Sequence, residues 1–265
     1  MTPLEGLTYW LAVLLYSITF GFGFMGLLFR KERMVRFSCF SLWAGFGSHT
    51  AAFFSRYIQA GHIPTIGNYE NILTGTLVIV AVSLWFFRKR SRFPGLLGTL
   101  PFVILLMGFA VVSDTAQRPF VASLQSFWLY IHIFFAWLAY GSFTAAAGVA
   151  VAYLAALRQG NIRDDFNELM FRLTALGLVT DAVMIASGSI WAKDLWGSYW
   201  SWDPVETWSL ISFLLYGLVL HLRVTLGWKG KRLAWILIVA LVTVLVSFWG
   251  VNFVMDRSLH VFNVG

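Results

Sequence analysis

The chain has 265 residues, of which 59% are hydrophobic and 12% charged, and its mean hydropathy is +0.75. A soluble domain of this length cannot bury so much apolar surface, so the composition excludes a water-soluble globular protein and predicts an integral membrane protein. The single cysteine, Cys39, excludes a disulfide, a Cys-x-x-Cys redox pair and a thiolate metal site built from this chain alone.

Eight apolar segments follow one another along the chain, most of them close to the roughly 20 residues that a membrane-spanning helix needs. They are residues 7–29, 37–57, 72–87, 96–112, 127–157, 169–190, 208–226 and 233–251. Long unbroken runs favour helices over barrel strands. We therefore predict an all-α integral membrane protein with about eight transmembrane helices in a single polytopic domain, residues 1–265. The third segment is short, so its helix is expected to begin nearer Asn68.

Basic residues cluster in alternate connections between these segments. Fifteen of the 19 Lys and Arg residues surround the connections after the first, third, fifth and seventh segments. By the positive-inside rule these connections are cytoplasmic, which predicts both termini on the outer, periplasmic side. The net charge of +7 is explained by this topology, and it gives no reason to expect a nucleic acid partner.

One predicted outer connection concentrates the aromatic residues. Residues 191–208 read WAKDLWGSYWSWDPVETW, with five tryptophans in eighteen positions. An interfacial aromatic belt is one interpretation, although a belt scatters its aromatics over many helix ends. Broad aromatic faces, indole N–H groups and a bend at Gly197 would also suit a flat apolar macrocycle. Asp203 before Pro204 predicts that the next helix begins at Pro204, with Glu206 near its positive end.

Five histidines are candidate ligands for haem iron, which takes axial imidazoles. His132 lies near the outer end of the fifth segment and His260 in the outer tail, so both are expected within reach of the Trp-rich connection. His49 and His221 lie inside apolar segments, where a costly ionisable residue is a site candidate, although a hydrogen bond between helices is the alternative for each. His62 belongs to a Gly- and Pro-containing turn that leaves both roles open.

The segment from Trp196 to Trp208 resembles the WWD signature of haem-handling membrane proteins. Residues 61–70, 220–232 and 250–253 are similar to further segments of one such family. This family comprises the CcsA (ResC) type cytochrome c biogenesis proteins, the membrane subunits of the system II cytochrome c synthetase. The tail departs from the family pattern, because Ser-Leu-His-Val-Phe stands at 258–262 where Gly-Leu-His-Ser-Tyr is expected.

The resemblance implies that haem b is bound as a substrate against the external WWD loop, residues 191–208, with His132 and His260 as axial ligands of its iron. It also implies a second haem position inside the membrane at His221, whose opposite ligand comes from a CcsB (ResB) type partner subunit, with His49 as a reserve candidate. The residues implied to hold the macrocycle are Trp196, Gly197, Tyr199, Trp200, Trp202, Asp203 and Trp208.

The function implied by the resemblance is export of haem and its thioether attachment to the CxxCH segment of an apocytochrome c. The expected location is the bacterial inner membrane or a thylakoid membrane. The sequence identifies no catalytic residue and leaves open whether the chain is an enzyme without its partner. A system I type haem-delivery protein and an exporter without ligation activity are alternatives. A di-haem electron-transfer subunit is another, but His49 and His221 differ by roughly 8 Å in expected depth, against the matched pairs it needs.

Overall fold

The structure, a computed structural model, describes residues 1–87, 89, 92–112, 114–116, 126–160 and 164–247. These ranges contain eight α-helices and no β-strand, so the predicted all-α class is confirmed. Each of the eight predicted apolar segments overlaps one helix. The helices are α1 (Pro3–Leu28), α2 (Glu32–Ala60), α3 (Gly67–Phe86), α4 (Phe93–Val112), α5 (Phe127–Arg158), α6 (Asp164–Trp196), α7 (Pro204–Thr225) and α8 (Lys231–Leu245).

Six of these helices, all except α2 and α8, are long and apolar enough to cross a membrane. Polar residues such as His49 and Arg56 lower the hydropathy of α2, and α8 has 15 residues within the described part of the chain. Large apolar side chains also point outward, among them Phe40, 74% exposed, and Ile58, 76% exposed. Such a surface is stable against lipid and not against water. The chain is therefore an all-α integral membrane protein.

Two helix starts lie where the sequence predicted them, and one predicted loop is shorter than expected. Helix α3 begins at Gly67, next to the expected Asn68, and α7 begins at Pro204. In contrast, α6 continues to Trp196, so the segment 191–208 contains a helix end, a connection of residues 197–203 and the first turn of α7. The helix continues because its last turn contains no breaker before Gly197, whose φ of 80° ends it.

The described helices form two compact units, Met1–Phe120 and Val121–Gly265. The first unit holds α1 to α4, and in it α1 packs along α2 while α4 packs against both α1 and α3. Glycine permits the close approach of α1 and α2, because a Cβ on Gly45 would lie 2.9 Å from the Tyr16 ring. The expectation of one continuous polytopic domain stays a prediction.

An ion-pair network is buried in the first unit. The Nε of Arg56 donates to Glu70 Oε1 at 2.8 Å, and its Nη1 lies 3.7 Å from Glu5 Oε1. The remaining guanidinium N–H groups donate to the carbonyl oxygens of residues 115–116, each at 3.0 Å. Tyr69 donates to Glu5 Oε1 at 2.8 Å. Since these charges are paired and hydrogen-bonded, we interpret the network as a structural tie between α1, α2 and α3.

The second unit is built around α5, which packs against α6 and α8, while α7 packs against the same two helices. Small residues at 145–148 are buried in its centre, where they allow neighbouring helices to come close. The rings of Phe143 and Tyr216 stack with centroids 3.5 Å apart and planes 6° apart. The start of α5, the end of α6 and the start of α7 lie at one end of this unit, and they form the candidate site.

Candidate functional site

The connection of residues 197–203 has a defined backbone conformation. Gly197 has a φ of 80°, and its carbonyl oxygen accepts a hydrogen bond from Lys193 Nζ at 2.7 Å. Trp202 has a φ of 60°, which is uncommon for a bulky residue and indicates local strain of about 1–3 kcal/mol. Such strain persists only where the surroundings determine the conformation. The connection is therefore a shaped surface.

Glu206 holds this conformation from the first turn of α7. Its Oε2 accepts hydrogen bonds from the backbone N–H groups of Ser201, at 2.8 Å, and Asp203, at 3.2 Å. Asp203 is the N-cap of α7, and its Oδ1 accepts a hydrogen bond from Val205 N–H at 2.9 Å. The pair forms a capping box, which satisfies donors that a helix start leaves unpaired. Both carboxylates therefore shape the turn.

We expect Glu206→Ala to loosen the connection, because two backbone N–H groups lose their acceptor at a cost of about 1–3 kcal/mol. Hydrogen–deuterium exchange of peptides covering residues 197–206 should become faster, while exchange in α5 stays unchanged. The matched control is Glu168→Ala, since Glu168 lies in an exposed pair with Arg172 at 2.6 Å. Unchanged protection at Ser201 and Asp203 would show that the turn does not depend on Glu206.

A cleft with a volume of about 40 Å³ opens beside this connection, within the second unit. We call it the His132 cleft. All three helices that meet at this end of the unit contribute to it, together with the connection. Its lining residues are His132, Met184, Ile185, Gly188, Ser189, Ala192, Tyr199, Trp200, Val205, Glu206 and Ser209.

His132 enters the cleft from the sixth position of α5 and is held there by α6. Its Nδ1 lies 2.9 Å from the carbonyl oxygen of Met184. Because a carbonyl can only accept, Nδ1 carries the hydrogen, and in the neutral ring Nε2 then carries the lone pair. The ring packs so closely on Gly188 that a Cβ there would lie 2.5 Å from Nδ1. A backbone bond to one nitrogen is the usual support for an imidazole that ligates a metal through the other.

The aromatic residues of the WWD segment divide between the cleft and other surroundings. Tyr199 and Trp200 line the cleft, and the indole N–H of Trp200 is buried without a hydrogen-bond partner among the described residues. The ring of Trp202 is perpendicular to that of Trp200, with centroids 5.9 Å apart, and is 70% exposed. The centroid of the Trp191 ring lies 6.3 Å from that of His132 and 5.1 Å from that of Trp196.

Several predicted site residues therefore lie outside the lining of the cleft. Trp196 and Trp208 are half-buried, Gly197 and Trp202 are exposed, and Asp203 is buried in the capping box. They shape or flank the connection, and only Tyr199 and Trp200 of the predicted set line the cleft.

His221 and His62 are absent from the described lining of the cleft. His221 is exposed on α7, with Nδ1 3.3 Å from Thr225 Oγ1. His62 is half-buried, with Nδ1 2.9 Å from the carbonyl oxygen of Ile63. His260 lies outside the described residues. No group of three or more His, Cys, Asp or Glu side chains suited to a metal ion occurs within the described ranges.

His49 is fully buried in the first unit. Its Nδ1 lies 3.3 Å from Tyr16 Oη and its Nε2 3.0 Å from the carbonyl oxygen of Leu73. Both ring nitrogens are therefore engaged by the protein, as expected for an imidazole that ties helices together. This geometry favours the structural interpretation of His49 over a role as an iron ligand.

Sequence reasoning missed the contribution of α6 to the cleft. Met184, Gly188 and Ala192 are spaced by four residues, so they lie on one face of the helix. The signal was the pair of small residues, Gly188 and Ser189, immediately before the Trp-rich segment. A stretch of small residues next to bulky aromatics indicates a place where a partner ring or helix approaches closely.

A family profile and several related proteins match most of this chain. A family profile described as "Cytochrome C assembly protein" matches residues 8–259. The "Cytochrome c biogenesis protein CcsA" of Heterosigma akashiwo is 31% identical over 253 residues, covering 77% of this chain and 78% of that protein. The CcsA protein of Trieres chinensis is 29% identical over 250 residues, covering 78% and 80% of the two chains. That of Guillardia theta is 26% identical and covers 89% of each.

The solved structure of the "Cytochrome c Heme Lyase CcmF" has a similar fold. The TM-score is 0.75 at 21% sequence identity, and the match covers 93% of this chain and 46% of that chain. This chain thus spans less than half the length of that protein. The likeness concerns the arrangement of the helices.

Proposed function

Because the chain belongs to the cytochrome c assembly protein family and so takes part in cytochrome c biogenesis, we propose that it binds haem at the His132 cleft for attachment to apocytochrome c. The observation that carries the proposal is the fixed orientation and tautomer of the His132 ring. Its hydrogen bond to Met184 fixes the ring and leaves the lone pair of the neutral imidazole on Nε2, the form that ligates haem iron.

The chemical character of the groups that line the cleft suits a haem substrate. Tyr199 and Trp200 offer aromatic faces to a flat macrocycle, and the buried N–H of Trp200 is a donor suited to a carboxylate such as a haem propionate. The exposed ring of Trp202 extends the apolar surface beyond the cleft. Trp196, Gly197, Asp203 and Trp208 would act on the macrocycle mainly through the conformation of the WWD segment. We propose haem b as the substrate.

The second axial ligand is proposed to be His260, on the family resemblance. His132 and His260 flank the WWD segment in sequence, so one imidazole would approach the iron from each face of the macrocycle. The substrate histidine of CxxCH would then displace one of these ligands and begin release. Exchange of one neutral imidazole for another changes no charge at the iron.

Attachment itself is an addition that needs no external oxidant or reductant. The S–H bond of each cysteine in CxxCH breaks, a C–S bond forms at a vinyl group, and the hydrogen is taken up at the other vinyl carbon. The chain would contribute orientation of the macrocycle and exclusion of competing reactions. We assign no general acid or base to it, since Asp203 and Glu206 are engaged by backbone N–H groups.

A second haem position is proposed at His221, on the route of haem toward the outer face. The His221 side chain is exposed on α7, where a ligand from another subunit can approach it. We propose that a CcsB (ResB) type partner supplies that ligand. His49 is left out of this position because both of its ring nitrogens are engaged within the first unit.

The proposed topology has eight membrane spans and both termini on the outer side. The basic connections support this orientation, since fifteen of the 19 Lys and Arg residues lie on the side assigned to the cytoplasm. Helices α2 and α8 would add two spans to the six that qualify by length and composition. The His132 cleft then opens to the outer side of a bacterial inner membrane or a thylakoid membrane.

Co-expression of the chain with a CcsB type partner and a reporter apocytochrome c tests this function. The host is a bacterium that lacks its own cytochrome c maturation system. We expect covalent haem on the reporter and haem in the purified membrane complex, with neither present when the chain is omitted. Haem in the complex without attachment to the reporter would favour an exporter without ligation activity, and a complex without haem would contradict the proposal.

A further inference from the structure

Three helices of the second unit place a polar side chain at the same depth below the His132 cleft. Asp181 comes seven residues before Gly188 on α6, and Tyr216 comes seven residues after Ser209 on α7, so each lies about 10.5 Å below its cleft residue. Tyr140 lies eight residues beyond His132 on α5, about 12 Å below it. Asp181 interacts electrostatically with both tyrosine hydroxyl groups. The side chains therefore converge on one buried point.

Two of these three side chains are buried without hydrogen bonds. Asp181 and Tyr216 are both 0% exposed. Neither the carboxyl oxygens of Asp181 nor the hydroxyl of Tyr216 have a hydrogen-bond partner among the described residues. Leaving one such group unpaired costs about 1–3 kcal/mol. Acceptors and a donor that face one another without bonding directly are the setting in which buried water is held.

A chain of hydroxyl groups connects this point with the cleft. Ser209 lines the cleft, and its Oγ lies 3.2 Å from the Oγ of Ser247. The Tyr140 hydroxyl lies within hydrogen-bonding reach of both serines. Hydroxyl groups can accept one proton while they donate another, so the series from Ser209 through Ser247 is able to pass a proton between the cleft and Tyr140. A water molecule between Tyr140 and Asp181 would complete the path to the carboxyl group.

We propose that Tyr140, Asp181 and Tyr216 form an internal binding site for water and an exchangeable proton, connected to the His132 cleft through Ser209 and Ser247. Water supplies the hydrogen bonds that the Asp181 oxygens and the Tyr216 hydroxyl lack. The carboxyl group binds the proton, because an isolated charge in the membrane interior is costly and no cationic partner for Asp181 lies among the described residues. The titratable groups facing Asp181 are the two tyrosines. This site does not depend on which ligand the cleft binds.

Infrared spectroscopy of the full chain in lipid nanodiscs tests the proposal. The difference spectrum between wild type and Asp181→Asn should contain the carbonyl stretch of a protonated carboxylic acid, which shifts when H₂O is replaced by D₂O. Asn has nearly the shape of Asp, which favours retention of the fold. Asp194→Asn is the matched control, because Asp194 is exposed near the end of the same helix, and it should leave the band in place.

The path to the cleft has its own test. Ser209→Ala should slow the D₂O shift of the Asp181 band several-fold without changing its position. The proposal would be overturned if Asp181 gave no carboxylic acid band or a band insensitive to D₂O. It would also be overturned if the band vanished when Na⁺ replaces K⁺, because that result would indicate a cation site. If Asp181→Asn does not fold, Asp181→Glu takes its place in the comparison with wild type, and the carboxylic acid band should then shift in frequency.

Discussion

Replacement of His132 by Ala is expected to lower the haem content of the purified complex at least about tenfold, because removal of a ligand should cost no less than the loss typical when only a ligand's supporting contact is removed. Nε2 of His132 is the only imidazole ligand that the described cleft residues offer, since no other lining residue is a histidine. The measurement is the visible spectrum and haem content of the detergent-solubilised complex. Added imidazole should restore part of the bound haem by occupying the space of the missing ring.

His62→Ala serves as the control for this experiment. His62 is a half-buried histidine of the first unit, so its removal tests whether any lost imidazole lowers haem content. His260→Ala and His221→Ala, measured in parallel, separate the two proposed haem positions. Added imidazole should restore the haem that is lost from the external site. Full haem content in His132→Ala, with full attachment to the reporter, would exclude His132 as a ligand.

The helical architecture could be predicted because it follows from local properties of the sequence. A membrane helix satisfies its own backbone, so an apolar run of sufficient length determines it almost alone. Helix starts were equally local, since Pro204 fixes a suitable φ and Asp203 accepts from the first turn. The end of α6 was predicted too early, because the polar and aromatic residues 191–196 were assigned to the loop, whereas the helix continues to the residue before the bend at Gly197.

The cleft could be predicted only in part, because it depends on which helices pack together. His132 and Trp200 were identified as candidates by residue type. Met184 and Gly188 hold the imidazole because α5 packs on α6. The small residue Gly188 signals a close approach in the sequence, but it does not say which helix approaches. Likewise, a buried Asp181 is indistinguishable in sequence from an aspartate facing a neighbouring subunit. Interhelical pairing is thus the information that a single sequence lacked.

The packing of Gly188 against His132 leads to a second large expected effect. A Cβ at Gly188 would lie 2.5 Å from Nδ1 and 2.9 Å from Cε1 of His132, so Gly188→Ala must displace the ring. The displaced imidazole would lose its bond to the Met184 carbonyl and with it the orientation of Nε2. Loss of such a supporting contact typically lowers metal affinity about 10–100-fold. We expect haem content to fall nearly as far as in His132→Ala.

Instability of the helix cannot account for this result, because alanine stabilises a helix interior by roughly 1 kcal/mol relative to glycine. Gly217→Ala is the matched control, since Gly217 lies on α7 with no atom within 4 Å of its added Cβ, and it should retain haem. The double variant Gly188→Ala with His132→Ala should lose no more haem than His132→Ala alone, because both act through one imidazole. A wild-type haem spectrum in Gly188→Ala would mean that the ring binds haem in an orientation other than the one Met184 fixes.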